Sequence, residues 1–260
     1  MNLRGRTALV TGAAGHLGQV ICETLAELGA SIVLVDLPGS KVNERAQDIN
    51  ARLKVPTFSF ESDIGLKDHR NILISSYFSK FNQLDIVVNN AAYVGTSKLE
   101  GWATKFSDQS PDLWGQVLEV NLTSAFDIVQ KLTPLLNKSS GASVINIASI
   151  YGEQGPDWSL YEGTGMANPA AYSVSKGGLI QLTKWLATTL APKIRVNTIS
   201  PGGIYRSQPK EFVDQYISRT PMARMASEND IKGAIGYLAS DLSRYVTGEN
   251  LHVDGGWTVW

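Results

Sequence analysis

Short runs of apolar residues alternate with longer amphipathic stretches along the whole chain of 260 residues. Six of these runs predict β-strands, at positions 7–11, 31–36, 55–60, 84–89, 143–148 and 194–200. Several carry Val and Ile at consecutive positions, which is typical of strands buried on both faces of a parallel sheet. Between them, spacings such as Ile21, Leu25 and Leu28 place apolar side chains on one face of a helix. The alternation predicts an α/β fold with a doubly wound parallel sheet and helices on both faces.

Two long stretches interrupt this alternation, at about 153–170 and 203–221. The first is rich in residues that break helices and strands, namely Gly155, Pro156, Gly163, Gly165 and Pro169. Long irregular segments inside a compact domain usually bind ligands or cover a site. Both follow predicted strands, and open α/β sheets bind ligands beyond the carboxyl ends of their strands. We therefore expect a single domain over residues 1–260, with both segments on the substrate side.

Composition and charge exclude several functional classes. The 23 Lys and Arg residues nearly balance the 24 Asp and Glu residues, so no basic excess favours nucleic-acid binding. No apolar stretch approaches the roughly 20 residues of a membrane span, and the first strand leaves no room for a signal peptide. A single cysteine, Cys22, and three histidines form no metal-ligand cluster of known spacing. We expect a cytoplasmic protein that acts on a small molecule, without a metal, nucleic-acid or membrane partner.

Glycines follow the first predicted strand, in the run Thr11-Gly-Ala-Ala-Gly-His-Leu-Gly18. They permit a tight turn and close approach of the backbone, and the helix that follows offers N–H groups to a pyrophosphate. The alternative is a helix-initiating turn without a ligand, which Asp36 at the end of the second strand argues against. A carboxylate there is placed to hold the ribose hydroxyls of NAD and to repel a 2′-phosphate. Since residues 37–40 and the turn contain no Arg or Lys, the pattern predicts NAD rather than NADP.

Further polar and small residues follow the next two strands. Asp63 follows the third strand and is placed to contact adenine, and Asn90-Ala91-Ala92 follows the fourth, where small side chains let the backbone approach the cofactor. Asp63, Asn89 and Asn90 are equally suited to capping turns, which is the common role of Asx residues. Their register at successive strand ends favours a shared binding site.

The candidate chemistry is centred on Tyr172 and Lys176. Their i, i+4 spacing places a phenol and an ammonium on one helix face. A phenol has a reference pKa of about 10, and a neighbouring cation lowers it, which suits proton transfer near neutral pH. Ser149 ends a buried strand and can hydrogen-bond a substrate oxygen, with no histidine placed to make it a nucleophile. Asn121 precedes that strand, and its alternative role is a polar helix residue satisfied by backbone.

These residues, together with Ser200-Pro-Gly202, Val246-Thr-Gly248 and Val253-Asp-Gly-Gly256, resemble the short-chain dehydrogenase/reductase family over residues 3–260. The resemblance implies a Rossmann fold with a seven-stranded sheet, a nicotinamide cofactor and a homo-oligomer, commonly a tetramer or dimer. It implies that Tyr172 is the general acid/base and that Lys176 lowers its pKa and holds the nicotinamide ribose. Ser149 would orient the substrate, and Asn121 would anchor a water in a proton relay. The cofactor contacts expected in this way are Gly12, Gly15, His16, Leu17, Gly18, Asp36, Leu37, Asp63, Ile64, Asn90, Ala91, Ala92, Tyr172, Lys176, Pro201, Gly202 and Ile204.

The sequence departs from the single-domain members of that family in two places. The middle glycine is Gly15, a spacing more typical of the extended branch, and His16 then faces either the pyrophosphate or solvent. The gap between Ser149 and Tyr172 is longer than usual, so residues of about 153–170 resemble an insertion at the substrate entrance. The apolar end Trp257-Thr-Val-Trp260 suits either a subunit contact or burial within the monomer.

The prediction of the substrate rests on the loop sequences. The segments at 147–152, 161–164, 201–204 and 255–258 resemble a subgroup of oxidoreductases associated with flagellin and surface-polysaccharide modification, in pathways to nonulosonic sugars. We expect a sugar or sugar derivative, with Arg206 meeting a phosphate and the other polar or aromatic residues contacting hydroxyls and ring. The predicted substrate residues are Tyr151, Trp158, Tyr161, Glu162, Arg206 and Gln208. The alternative substrates are a polyol, a 3-oxoacyl thioester or another small ketone. The loops could instead pack on each other or on another subunit. The alternative class of protein is a non-catalytic NAD-binding sensor.

Overall fold

The structure is a computed structural model that describes residues 1–95, 97 and 99–260. Within these residues one sheet contains seven strands: β1 Thr7–Thr11, β2 Ser31–Asp36, β3 Thr57–Glu61, β4 Ile86–Asn89, β5 Ala142–Ile147, β6 Ile194–Pro201 and β7 Asn250–Val253. The α-helices described are α1 His16–Glu27, α2 Val42–Leu53, α3 Lys67–Lys80, α4 Pro111–Leu118, α5 Ser124–Leu136, α6 Ala170–Leu190, α7 Lys210–Ser218 and α8 Lys232–Ala239. A π-helical turn, Glu119–Thr123, joins α4 to α5.

All strand pairs are parallel, in the order β3-β2-β1-β4-β5-β6-β7. The chain order reverses direction between β1 and β4, so the loops after these two strands diverge to opposite sides. A crevice opens at such a switch point, beyond the carboxyl ends of the strands. The predicted fold class is confirmed.

Successive residues of each central strand belong to two different apolar clusters, because side chains alternate across a strand. Ala8 and Val10 join the cluster that α1, α2 and α8 cover, whereas Leu9 joins the cluster under α3, α5 and α6. Cys22 is a buried member of the first cluster. This two-sided burial explains why the sequence shows continuous apolar runs in place of strict alternation.

The six predicted strands are present: β1 and β2 have the predicted bounds, and each of the other four differs by one or two residues at one or both ends. The third begins at Thr57 rather than at position 55, because Pro56 has no N–H to donate to a neighbouring strand. The seventh strand, Asn250–Val253, does not follow from the apolar pattern, since it is half-buried and mixes polar with apolar residues at the sheet edge.

The two irregular segments are not structureless. The stretch at 153–170 contains a 3₁₀ turn, Trp158–Tyr161, and the stretch at 203–221 contains the helix α7, which the sequence did not reveal. Leu160 from the first segment packs with Phe212 and Tyr216 of α7 and with Trp257 in one apolar cluster. At the C-terminus, Trp257 is thus buried within the monomer, whereas Trp260 is 85% exposed. Among the described helices, none is long and apolar enough to cross a membrane.

Candidate active site

A cavity of about 1040 Å³ opens at the carboxyl ends of the strands, between the glycine turn and the two long segments. Every residue predicted to contact the cofactor lines it, including His16, which is also exposed at the start of α1. Ser149 lines it as well, whereas Asn121 is buried beside it. The fold therefore brings the predicted residues to one cavity, and their contacts with a cofactor stay predictions.

The glycine turn after β1 depends on two very close backbone approaches. Gly12 has a φ of +65°, and a Cβ there would lie 2.8 Å from Cα of Ala91. A Cβ at Gly18 would lie 1.9 Å from the carbonyl oxygen of Gly12, so no side chain fits. Gly15 has ordinary backbone angles and is the N-cap of α1. The outer glycines thus permit close packing, and the middle one leaves the start of the helix open.

Polar residues at the next strand ends hold this turn in place. The Asn90 side chain donates to the carbonyl oxygens of Thr11 (3.0 Å) and Gly12 (3.1 Å). In return, the Thr11 hydroxyl accepts from the backbone N–H groups of Asn90 (3.1 Å) and Ala91 (3.2 Å). Asp63 accepts from the backbone N–H of Gly65 at 2.9 Å, an Asx turn. The turn-forming role considered for Asn90 and Asp63 therefore applies, although both also line the cavity.

The residues present fit a dinucleotide. Within the described residues, no side chain caps the N-terminus of α1 and its first turn has no acidic residue, so its N–H groups can receive a pyrophosphate. Ser40 Oγ and Arg45 Nε are buried atoms of two cavity-lining residues, and neither has a hydrogen-bond partner in the described chain. Asp36 accepts from the N–H groups of Ala14 and Leu37, each at 2.7 Å. Because a carboxylate has about four acceptor positions, Asp36 retains acceptor capacity for ribose hydroxyls.

Basic side chains also reach this cavity, which the sequence did not lead us to expect. Lys41 and Arg45 line it together with Asp36. The sequence prediction overlooked them because it rested on the turn and residues 37–40 alone, whereas Lys41 and Arg45 lie at the start of α2. The preference for NAD therefore stays a prediction.

The tyrosine and lysine lie on successive turns of α6. Lys176 is 3% exposed, and its Nζ donates to the carbonyl oxygen of Ile147 at 2.7 Å. The same Nζ lies 5.7 Å from the centroid of the Tyr172 ring. The Ser149 hydroxyl accepts from the backbone N–H of Tyr151 at 3.2 Å, so its own proton stays available to an acceptor in the cavity.

Burial dominates the ionisation of the tyrosine and the lysine. It lowers the pKa of Lys176 from 10.5 to about 7. Burial also raises the pKa of Tyr172, although the Ser149 hydroxyl and the charge of Arg206 act in the opposite direction. Lys176 is not among the described groups that shift the pKa of Tyr172 here, so its expected lowering of that pKa stays a prediction.

Asn121 lies in the π-helical turn between α4 and α5, a feature that often marks functional sites. Its side-chain amide donates to the Tyr93 carbonyl (3.1 Å) and to the Ser175 hydroxyl (3.0 Å), and accepts from the Tyr93 N–H (2.8 Å). Ser175 in turn donates to the carbonyl oxygen of Tyr172 at 2.7 Å. The amide thus ties the loop after β4 to the first turn of α6, and its place in a water relay stays a prediction.

The predicted substrate residues divide into two groups. Tyr151, Tyr161, Arg206 and Gln208 line the cavity, whereas Trp158 and Glu162 lie outside its lining in the described part of the chain. Trp158 lies in the 3₁₀ turn that buries Leu160, Glu162 follows that turn, and both side chains are exposed. Sequence reasoning missed the lining residues Asn168, Phe212, Tyr216 and Met225. The i, i+4 pair Phe212 and Tyr216 was a readable signal of an apolar helix face.

Residues that could bind a metal ion are not clustered in the described part of the chain. In residues 1–95, 97 and 99–260, no group of three or more His, Cys, Asp or Glu side chains is arranged to hold a metal ion.

The sheet order, the glycine turn at the switch point and the serine, tyrosine and lysine around one cavity define a Rossmann-type oxidoreductase. A family model described as enoyl-(acyl carrier protein) reductase matches residues 12–258. The chain belongs to the short-chain dehydrogenase/reductase family, as the sequence motifs indicate.

Relatives and solved structures with the same fold have differing functions. The chain is 32% identical to a 3-oxoacyl-(acyl-carrier-protein) reductase of Staphylococcus aureus, over 96% of this chain and 97% of that protein. It is 30% identical to the post-translational flagellin modification protein A of Campylobacter coli, over 98% and 99%. An NAD⁺-bound xylitol dehydrogenase matches with a TM-score of 0.86 and 29% identity, covering 98% of this chain and 100% of that one. A putative gluconate 5-dehydrogenase of Beutenbergia cavernae with bound NADP matches with a TM-score of 0.87 and 27% identity, over 100% and 99%.

Proposed function

We propose that the protein is an NAD(H)-dependent dehydrogenase or reductase that interconverts a secondary alcohol and a ketone. The observation that carries this proposal is the presence of two hydroxyls, those of Ser149 and Tyr172, around one cavity with the buried Lys176 beside them. The nicotinamide, when bound, supplies or takes up the hydride. The hydroxyl of Ser149 donates a hydrogen bond to the substrate oxygen, and the phenol of Tyr172 gives its proton to that oxygen during reduction and recovers it during oxidation.

Lys176 supports this proton transfer through its charge and its remaining N–H groups. An ammonium has three donors, and one of them is used by the carbonyl of Ile147. The other two have no partner among the described residues and can hold ribose hydroxyls or a proton relay. A pKa of about 7 lets Lys176 exchange its proton near neutral pH.

Substitution of Tyr172 with Phe tests the chemistry. We expect Tyr172→Phe to lower turnover by about 10³-fold or more, while NADH still binds, because only the proton donor is removed. Tyr245 is fully exposed and far outside the cavity lining, so Tyr245→Phe is the matched control and should behave as wild type. Turnover by Tyr172→Phe at the wild-type rate would contradict the mechanism.

The preference for NAD is supported by the carboxylate of Asp36 and opposed by the nearby Lys41 and Arg45. We expect NADH to bind at least about tenfold more tightly than NADPH, a difference near 1.4 kcal/mol, as measured by nucleotide fluorescence. Asp36→Ala should reduce this ratio, because it removes the charge that repels a 2′-phosphate. Arg45→Met should increase it. Equal affinities of the wild type for both nucleotides would contradict the preference.

For the substrate, we propose a sugar or sugar derivative in surface-glycan biosynthesis. The similarity to a flagellin modification protein supports this, as do the tyrosine hydroxyls and Asn168 on the cavity wall. A 3-oxoacyl thioester is the second candidate, because a 3-oxoacyl reductase is 32% identical to this chain. The test is NADH absorbance with sugars, nucleotide sugars, polyols and a 3-oxoacyl thioester. Preferred turnover of the thioester would favour the second candidate, and binding of NADH without any turnover would favour a sensor.

We also propose a homo-oligomer. The helix α6 leaves large apolar side chains exposed, including Val174 and Trp185, the latter at 55%. Light scattering after size exclusion should give a mass of two or four chains. Trp185→Glu should shift it towards the monomer, whereas a monomeric wild type would contradict the proposal.

A further inference from the structure

One charged side chain distinguishes the substrate half of the cavity. Most charged lining residues lie at the end of β2 or in the segments after β2 and β3, namely Asp36, Lys41, Arg45 and Asp63. Apart from Lys176, which lies beside the catalytic tyrosine, the remaining charged residue in the described lining is Arg206, in the loop after β6. In the described part of the chain, the substrate half of the cavity is thus lined by a cationic side chain and by no Asp or Glu.

The loop around Arg206 is built to hold this side chain in one position. Gln208 accepts from the backbone N–H of Arg206 at 2.7 Å and donates to the carbonyl oxygen of Ile204 at 2.8 Å. Between them, Ser207 has a φ of +56°, in the left-handed region that residues other than glycine rarely adopt. Such strained positions persist where the surroundings fix them, and they concentrate at binding sites. The guanidinium is held from the other side by Glu228, which accepts from Arg206 Nε at 3.1 Å.

This anchoring leaves most of the guanidinium available. A guanidinium has five N–H donors, and in the described part of the chain only Nε of Arg206 is engaged by a side chain. The side chain is 29% exposed, so its free edge is partly shielded from water. A rigid, half-buried guanidinium with open donors binds a carboxylate or phosphate through two parallel hydrogen bonds. Its influence on Tyr172 places it within electrostatic reach of the reaction centre.

Two tyrosines on the cavity wall add a neutral donor. The hydroxyl oxygens of Tyr151 and Tyr161 are 2.8 Å apart, and Asn168 donates to the Tyr161 oxygen at 3.4 Å. The pair has two phenolic protons, and the hydrogen bond between the two oxygens uses one of them. Whichever tyrosine is the donor, the other proton has no acceptor among the described residues. The pair therefore offers one hydrogen bond to a ligand in the cavity.

We propose that the substrate carries an anionic group, a carboxylate or a phosphate, that Arg206 and the Tyr151–Tyr161 pair bind while the reacting carbon faces Tyr172. The inference rests on the proposed function for the reaction itself, and it adds the charge of the substrate and the residues that recognise it. The Glu228 carboxylate then has two effects. It holds the guanidinium in position, and its negative charge offsets part of the positive charge that attracts the anion.

Binding of simple probes to the enzyme–NADH complex tests this charge recognition. Glucitol, gluconate and glucitol 6-phosphate share a polyol chain and differ in charge, so their dissociation constants can be compared by calorimetry. We expect at least one anion to bind about 10- to 100-fold more tightly than glucitol. The favoured anion distinguishes a carboxylate from a phosphate. Equal binding of all three probes would overturn the proposal.

Variants assign the effect to its residues. Arg206→Met should remove the preference for the anion, so that gluconate and glucitol 6-phosphate bind no more tightly than glucitol, whereas Arg224→Met, an exposed arginine paired with Asp230, should retain the preference. Glu228→Gln should strengthen anion binding several-fold, because it releases the arginine from its partner. A purely structural role for the pair would predict weaker binding in both Arg206→Met and Glu228→Gln. That result would also overturn the proposal.

Reduction of a small neutral diketone by NADH separates this inference from the proposed function. Turnover of the diketone that requires Tyr172, without anion preference, would refute only the recognition by Arg206. Anion binding that requires Arg206, without turnover of any ketone, would refute only the proposed reaction.

Discussion

The buried ammonium of Lys176 predicts a specific dependence of stability on pH. Its pKa is about 7 in the folded protein, against 10.5 for an exposed lysine. Below pH 7 both states hold the proton, and burying the charge costs the folded state about 5 kcal/mol, because each pH unit between the two pKa values corresponds to about 1.4 kcal/mol. Between the two pKa values only the unfolded chain holds the proton. Stability therefore rises with pH through this window, and the cost is relieved by about pH 10.

The stabilising effect of Lys176→Met should shrink as the pH rises through this window. The variant removes the cost of the buried charge but loses the hydrogen bond from Nζ to the Ile147 carbonyl, which is 2.7 Å long. Through this window the folded lysine is neutral, and a bond from a neutral donor contributes about 1 kcal/mol. Near pH 6 the variant should therefore be more stable than wild type by about 4 kcal/mol. Near pH 9 the wild type has regained about 3 kcal/mol, so the advantage of the variant should fall to about 1 kcal/mol.

Urea unfolding followed by tryptophan fluorescence measures this difference. Wild type and Lys176→Met are compared near pH 6, 7.5 and 9, without cofactor and at one protein concentration, since association also affects stability. Lys184 lies on the same helix α6 and is exposed, so Lys184→Met is the matched control and its effect should not vary with pH. A difference between Lys176→Met and wild type that stays constant from pH 6 to pH 9 would refute the reasoning.

Two further substitutions test the cofactor turn and a buried ion network. Gly18→Ala should abolish NADH fluorescence enhancement and lower stability by about 3 kcal/mol, because its Cβ would lie 1.9 Å from a carbonyl oxygen. Gly15→Ala, whose Cβ would lie 3.3 Å from the same oxygen, should be folded, and an equal loss in both variants would contradict this account. Arg70 is buried and bonds Asp127 at 2.7 Å, so Arg70→Met should cost about 3 kcal/mol in urea unfolding. The exposed Arg52 is its control, and a comparable loss in Arg52→Met would show that burial is not the cause.

The cofactor half of the cavity could be predicted from the sequence because it is built from strand ends. Parallel strands direct their carboxyl ends to one edge, so residues that directly follow a strand meet there regardless of their separation in sequence. Gly12, Asp36 and Ser149 lie at or just after the ends of β1, β2 and β5. Their separation along the chain therefore did not affect the prediction that they meet. The steric demands of Gly12 and Gly18 were readable for the same reason, since the turn is local.

Features that depend on packing between distant segments were not readable. The low pKa of Lys176 arises from burial beneath elements that the spacing to Tyr172 does not reveal. A spacing of four residues shows that two side chains are close, and says nothing of the solvent around them. The basic residues Lys41 and Arg45 were overlooked for a related reason. They line the cavity from the start of α2, although they do not directly follow the strand β2.

The substrate half of the cavity is formed by residues 153–170 together with the segment after β6. Tyr161 lies 5.5 Å from Phe212 between ring centroids, Phe212 lies 5.9 Å from Tyr216, and Tyr216 stacks on Trp257 at 5.9 Å. Leu160 is fully buried in the same cluster. Replacing residues 153–170 alone would therefore uncover the apolar face of α7, close to the loop that holds Arg206. Exchange of either segment as a whole therefore requires the other to change with it, because the two share one apolar cluster.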